Sequence, residues 1–338
     1  MVQIVIIILV ISFALYTLLG GADFGAGIVE TFRGSKGEKA VSKAMAPVWE
    51  ANHVWLILAI VIIFTGFPRV YSTISLYLHI PLMVVLIGII MRGSSFIFRF
   101  YDTDDKTFHK YFSVLFKISS FITPVFLGII FGAMLLGKIN LNNNGSYYER
   151  FIMPWFNFFC LSVGLFIASL FSYVAATFLV GETTKTPEQK KYIYLSKIFL
   201  LLTFALGIFV VATAENESHH LFHGFFKSPF SIIAFSIVAL LIPVIFYLFD
   251  HINIFLLRAA IGAQVTLIIL GWFAIHFPVL VYEKNGDNLT FFNTAAPDAT
   301  LYQLLIALFV GLLLIVPSLY FLFNVFKRTD AGKTDPII

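Results

Sequence analysis

Four ionisable side chains in this sequence sit inside apolar surroundings, where such groups are expensive. Asp23 lies in Gly20-Gly-Ala-Asp-Phe-Gly-Ala-Gly27. Glu50 and His53 lie in Pro47-Val-Trp-Glu-Ala-Asn-His-Val-Trp55, and Arg92 lies in Met91-Arg-Gly93. An Asp, Arg or Lys at the centre of a membrane helix costs about 2.5–3.5 kcal/mol on insertion scales, so each is a functional candidate by default. Glu50 and His53 are three residues apart, and Trp49 and His53 four apart, so on a helix these pairs share a face. Pro47 suits a first helical turn, where its missing N–H is no loss, and the helix dipole favours the Glu50 carboxylate in that turn. A carboxylate set with a histidine and an arginine fits a proton or cation inlet. It fits equally an ion-pair network that staples helices together. Asp23 alone also reads as a buried structural carboxylate, and His53 reads as a haem ligand, a proton carrier or a hydrogen-bonded core residue.

What must position these residues is a membrane bundle. Of 338 residues, 59% are hydrophobic and only 12% charged, against about 25% charged in a soluble domain, and the mean hydropathy is +0.94. That leaves too little polar surface to cover a water-soluble globule. Crossing a bilayer takes roughly 20 apolar residues per helix. Segments 4–31, 48–67, 74–98, 112–137, 154–180, 193–214, 230–249, 255–281 and 301–326 qualify, which gives an all-α, polytopic transmembrane helical bundle of about nine spans. Their runs are continuous, whereas barrel strands would alternate polar and apolar residues. The longest loops run to about 15–20 residues, too short for a domain of their own, so residues 1–338 read as a single membrane-embedded domain.

Charge orients the spans. Arg33, Lys36, Lys39 and Lys43 fill the first loop, Arg99, Lys106 and Lys110 the third, Lys185, Lys190 and Lys191 the fifth, and Lys327, Arg328 and Lys333 the C-terminal segment. The even loops hold only Arg69, then Lys138 and Arg150, then Lys227, then Lys284. Lys and Arg gather on the cytoplasmic side, so the N-terminus is expected outside and the C-terminus in the cytoplasm. The sequence starts Met1-Val-Gln-Ile without the positive region of a signal peptide, and this start reads as a retained first span. At 1.5 Å per residue, Asp23 lies roughly 28 Å down span one and Arg92 roughly 27 Å down span three. Glu50 and His53 open span two from the same side, so all four groups share one depth. Small residues at spacing four, Gly21 with Gly25 and Ala22 with Ala26, allow a neighbouring helix to come close and turn Asp23 toward protein.

Other polar residues carry weaker signals. Cys160, the single cysteine, excludes an intrachain disulfide and a CxxC redox pair and reads as an inert buried thiol. Glu215, Glu217, His219, His220 and His223 follow span six. His219 and His223 have a chelating spacing if helical, but a wet interfacial loop is the plainer reading, and no metal site is expected. Gln264 and Trp272 read as packing residues in span eight. No basic cluster interleaved with aromatics suggests nucleic acid.

Several of these motifs resemble subunit II of cytochrome bd-type quinol oxidases. The Gly-Gly-Ala-Asp-Phe-Gly-Ala-Gly run, the Pro-Val-Trp-Glu-Ala-Asn-His-Val-Trp-Leu run and Arg92-Gly followed by Arg99 carry the likeness in the first half. Gly262-Ala-Gln-Val-Thr-Leu-Ile-Ile-Leu-Gly-Trp272 with Phe277-Pro-Val-Leu280, and Ala296-Pro-Asp-Ala-Thr-Leu301 with Pro317-Ser-Leu, carry it in the second. The resemblance spans about residues 10–328. It implies two four-helix bundles plus a peripheral helix, paired in a bacterial cytoplasmic (inner) membrane with a haem-bearing subunit I that holds haems b and d and the quinol site. It further implies that this chain binds no haem, supports the complex and helps to bring cytoplasmic protons to the oxygen-reducing haem. Glu50, Asp23, His53 and Arg92 would form the proton path, with Trp49, Asn52 and Arg99 supporting them. No residue of this chain would be catalytic alone. A structural quinone and small single-span accessory subunits are further implications of the likeness.

Overall fold

The computed structural model describes residues 1–45, 49–101, 106–141, 145–183, 186–217, 221–284 and 286–331. Span one is a 30-residue helix, Val2–Thr31, made of α1 (Val2–Leu15), a five-residue π turn (Tyr16–Gly20) and α2 (Gly21–Thr31). The first loop folds as α3 (Gly34–Met45). Span two is α4 (Trp49–Asn52), interrupted at His53, then α5 (Val54–Gly66). After Phe67, the helix α6 (Pro68–Tyr77) turns away at 112° to α5. Pro68 sits at the start of α6, where it needs no N–H partner. The predicted span over 48–67 thus carries a one-residue interruption at His53, whose backbone stays helical (φ −73°, ψ −15°), and the sharp bend lies past its other end.

Spans three and four are α7 (His79–Tyr101) and α8 (Lys106–Leu135), followed by the short α9 (Tyr147–Phe151). Spans five and six are α10 (Phe158–Glu182) and α11 (Thr186–Asn216), and α12 (Leu221–Lys227) leads into α13 (Pro229–His251) and α14 (Ile254–His276). A two-stranded hairpin, β1 (Val279–Val281) with β2 (Leu289–Thr290), precedes α15 (Asp298–Ala331). Span eight thus ends at His276 rather than 281, because the chain turns there into this antiparallel pair. Eight described helices are long and apolar enough to cross a membrane, nine with the bent α5–α6 pair counted as one.

α1 packs on α5 and α7 on α8, α10 packs on α11, α13 packs on α14, which also touches α10, and α15 lies outside against α5 and α1. Both α2 and α8 press on α10, the most enclosed of the spans. Its small residues Ala168, Ser169, Ser172, Ala175 and Ala176 are all buried. Lipid supplies no hydrophobic force between helices, so close backbone packing and polar bonds hold them together. A Cβ placed on Gly25 would stand 1.9 Å from the Phe171 carbonyl oxygen, and one on Gly164 would stand 2.5 Å from the Val125 carbonyl oxygen. Ser169 meets Thr203, and Ser162 meets Thr213, each at 2.8 Å across α10 and α11. Gln264 accepts from the Tyr173 hydroxyl at 3.0 Å and donates to the Val238 carbonyl at 3.3 Å, so one amide ties α10, α13 and α14. The outward faces carry exposed Ile4, Ile7, Ile11, Ile57, Phe64, Ile90 and Phe309, the surface expected against acyl chains.

At the end of the bundle where α8 stops, the hairpin forms a lid. Tyr282 N–H donates to the Met134 carbonyl at 2.8 Å, Lys284 N–H to Ile139 at 2.9 Å, and Ala296 N–H to Gly66 at 2.8 Å. The charged cluster occupies the other end.

Candidate functional site

Asp23 opens α2 directly after the π turn and is 1% exposed; Arg92, on α7, is 2% exposed. Arg92 Nη2 donates to the backbone carbonyl of Asp23 at 2.9 Å. Its guanidinium also lies over the rings of Phe24 at 4.8 Å and Phe116 at 5.3 Å. The expectation of an arginine set among carboxylates takes a different form here. The long, planar side chain crosses from α7 to reach a carbonyl, and ring faces provide much of its electrostatic solvation. The Asp23 carboxyl keeps one oxygen, Oδ2, without a hydrogen-bond partner, as does Arg92 at Nε.

Span two supplies the next residues. Asn52 is buried and lies beside the Asp23 carboxyl. Trp49 packs its ring on Phe96 at 5.7 Å between centroids and faces Gly93, where an added Cβ would stand 3.4 Å from the indole. His53 sits at the break between α4 and α5, with its ring 5.9 Å from Phe24 and 6.5 Å from Tyr16. The backbone of Glu50 belongs to α4; its side chain lies outside the described residues, as do Pro47 and Val48. Span two therefore brings Trp49, Asn52 and His53 to the Asp23–Arg92 pair.

Arg99 belongs to a second layer, two turns further along α7. Its Nη1 bonds both oxygens of Glu30, at 2.8 and 3.0 Å, with both side chains essentially enclosed. Lys117 Nζ from α8 stands 3.6 Å from the same carboxylate. Glu38, on α3, lies 3.9 Å from Arg99 Nε and 2.9 Å from His109 Nε2. The Arg99 guanidinium covers the Phe116 ring at 4.2 Å, so one ring touches both arginines and joins the layers.

Glu30, Lys117, Glu38 and His109 were not among the sequence candidates. Glu30 had a legible signal: it lies seven residues after Asp23 and so falls on the same helical face. Glu38 and His109 gave none, because they meet only when the first loop folds as α3. The histidines elsewhere are spent on helix ends or rims. Nδ1 of His79, His251 and His276 lies 2.9–3.0 Å from the carbonyls of Leu76, Tyr247 and Trp272. His219 and His220, and the His223 side chain, lie outside the described residues, and no three-ligand metal cluster occurs among the described ones. Cys160 is a free, buried thiol.

Comparison with known proteins gives one consistent answer. The family model for cytochrome bd terminal oxidase subunit II matches residues 1–326. Cytochrome bd ubiquinol oxidase subunit 2 of Bacillus subtilis (strain 168) is 31% identical over 133 residues, 39% of each chain. Cytochrome bd-I ubiquinol oxidase subunit 2 of Escherichia coli (strain K12) is 27% identical over 216 residues, 60% of this chain and 55% of the relative. These two matches thus span less than two thirds of either relative. The structure of bd oxidase from Geobacillus thermodenitrificans superposes with a TM-score of 0.77 at 20% identity, over 96% of this chain and 98% of that one, which establishes a shared fold.

Proposed function

The chain belongs to the family of cytochrome bd terminal oxidase subunit II, and from that premise we propose that it stabilises a haem-bearing subunit I and carries protons toward the site where oxygen is reduced to water. The observation that carries this reading is the buried Asp23–Arg92 pair, with Asn52 and His53 beside it, one layer beyond the Glu30–Arg99 ion pair at the same end of the bundle. An isolated carboxyl in such a place is strongly disfavoured. It is retained here among polar atoms that have no protein partners and so call for water, and a carboxyl in contact with water can exchange protons with it.

Family membership and the apolar spans make this an inner-membrane protein. In our reading the N-terminus faces outward and the C-terminus inward, following the Lys and Arg bias of the odd loops. The Glu30–Arg99 layer then lies nearest the cytoplasm, and the Asp23 layer lies one step deeper. Quinol oxidised on the outer side would release protons there, and oxygen reduction would consume protons drawn from inside, which builds a gradient without a pump. Haems b and d and the quinol site belong to subunit I in this reading. A structural quinone and single-span accessory subunits remain implications of the family likeness, with no residue assigned to either.

The test is purification of the complex with Asp23→Asn in this chain. The reading expects the same haem spectrum as the parent complex and slowed quinol-driven oxygen consumption. Parent-like turnover at equal haem content removes Asp23 from the path. A second chain without haem in the purified complex would remove the partner assignment.

A further inference from the structure

Some of the buried polar atoms without a hydrogen-bond partner gather at one place among the described residues. Near Asp23 Oδ2 and Arg92 Nε lie the Tyr16 hydroxyl and His53 Nδ1, their rings 6.5 Å apart, and all four atoms are enclosed and without a hydrogen-bond partner. They come from spans one, two and three. A buried polar group left unpaired is costly, and native proteins satisfy such groups with internal water that makes two to four bonds to the groups around it. A set this dense reads as a wet track.

The track runs past Asp23 along span one, and its local backbone explains why. Tyr16 to Gly20 forms the π turn, an irregularity frequent at functional sites. The Tyr16 ring fills the space that a side chain at position 20 would take: a Cβ there would stand 2.5 Å from Cε2 of the ring. Gly20 thereby leaves room for the ring along the helix. Asp23 and Arg92 are the charged groups that act on the Tyr16 hydroxyl, and the residue is 4% exposed. Seven residues separate Tyr16 from Asp23, an axial rise of about 10 Å on a regular helix. The Tyr16 ring, folded forward over Gly20, spans part of that rise, and water would complete the link.

We propose that the Tyr16 hydroxyl is a proton relay that extends the path from Asp23 across the π turn toward the middle of the membrane, with His53 lining the same water. The inference rests on the proposed role of Asp23. The transfer balances without any further reagent. The hydroxyl oxygen takes a proton from water on the Asp23 side and releases its own proton to water on the far side, so one O–H bond forms, one breaks, and the phenol is unchanged. Phe24 and Phe171, buried beside Tyr16, would keep the track narrow.

The experiment is Tyr16→Phe, which removes one oxygen and keeps the ring over Gly20, set beside Asp23→Asn in the intact complex. Proton uptake on oxygen addition is followed with a pH-indicator dye, in H2O and in D2O, at equal haem content. Tyr16→Phe is expected to slow uptake roughly fivefold, the rate equivalent of one lost hydrogen bond, and to enlarge the solvent isotope effect. If Asp23→Asn slows uptake and Tyr16→Phe matches the parent, the relay is wrong and the Asp23 path stands. If both match the parent, both fail. A structure of the parent complex at a resolution that shows water gives a second test, independent of whether the variant assembles. Water between Tyr16, His53 and Asp23 supports the relay, and a dry or lipid-filled space overturns it.

Discussion

Replacing Arg99 with Leu should damage this protein far more than removing both members of its ion pair. Glu30 is fully enclosed and takes two bonds from Arg99, and Arg99 itself is 2% exposed at its side chain. Breaking a buried pair by deleting one partner costs about 3–5 kcal/mol, because an uncompensated charge stays behind, whereas an apolar replacement of both partners is often close to neutral. Lys117 remains 3.6 Å from Glu30 after the substitution, which places Arg99→Leu near the lower end of that range. The double variant Glu30→Leu/Arg99→Leu removes both buried charges; Lys117, one quarter exposed, can turn its ammonium outward, and Glu38 keeps His109. Complexes of this kind denature irreversibly, so the observable is a half-life rather than an equilibrium constant. At one fixed temperature, loss of haem absorbance from the purified complex should quicken by roughly 150-fold in Arg99→Leu, the equivalent of about 3 kcal/mol at 1.36 kcal/mol per decade. The double variant should recover most of that loss. Additive effects of the two substitutions, or a single variant as durable as the parent, would show that Glu30 and Arg99 do not depend on each other.

Gly25→Leu should abolish assembly, because even a Cβ there falls 1.9 Å from the Phe171 carbonyl oxygen and α2 cannot stay seated on α10; the readout is the yield of complex that carries haem, and a normal yield refutes the close approach. Glu50→Gln should leave assembly intact and lower quinol oxidation by roughly tenfold or more, in line with the loss of a positioned proton carrier; a parent-like rate places Glu50 off the path.

The bundle was legible because its signals are long-range averages. Nine apolar runs, broken by charged loops, required a helical membrane protein whatever the details, and Gly21 and Gly25 announced a close helix contact that α10 supplies. Asp23 and Arg92 were legible as well, because a charge inside an apolar run stands out. What Arg92 touches was not. Its bond to the Asp23 carbonyl depends on where α7 crosses α2, which no local pattern encodes. The break at His53 was hidden for a related reason: the run from Val54 onward is apolar enough to read as the middle of one helix, and helix ends are set by the packing around them. Glu30 escaped notice because it falls in the last turn of the span read over 4–31, next to a charged loop, and its seven-residue spacing from Asp23 went unused. Tyr16 escaped because a tyrosine in an apolar helix ordinarily reads as packing, and only its unpaired hydroxyl over Gly20 marks it.

The most direct test of the account is made in liposomes that hold the complex with Asp23→Asn, loaded with a pH indicator and sorted so that the loop side carrying Arg33 and Lys39 faces inward. Oxygen is added to the reduced complex, and internal alkalinisation is followed at matched haem content. The account predicts that the interior of the variant vesicles turns alkaline roughly tenfold more slowly than with the parent, or slower still, as expected for loss of a positioned proton carrier. Alkalinisation at the parent rate would show that protons reach the oxygen site without passing through this cluster.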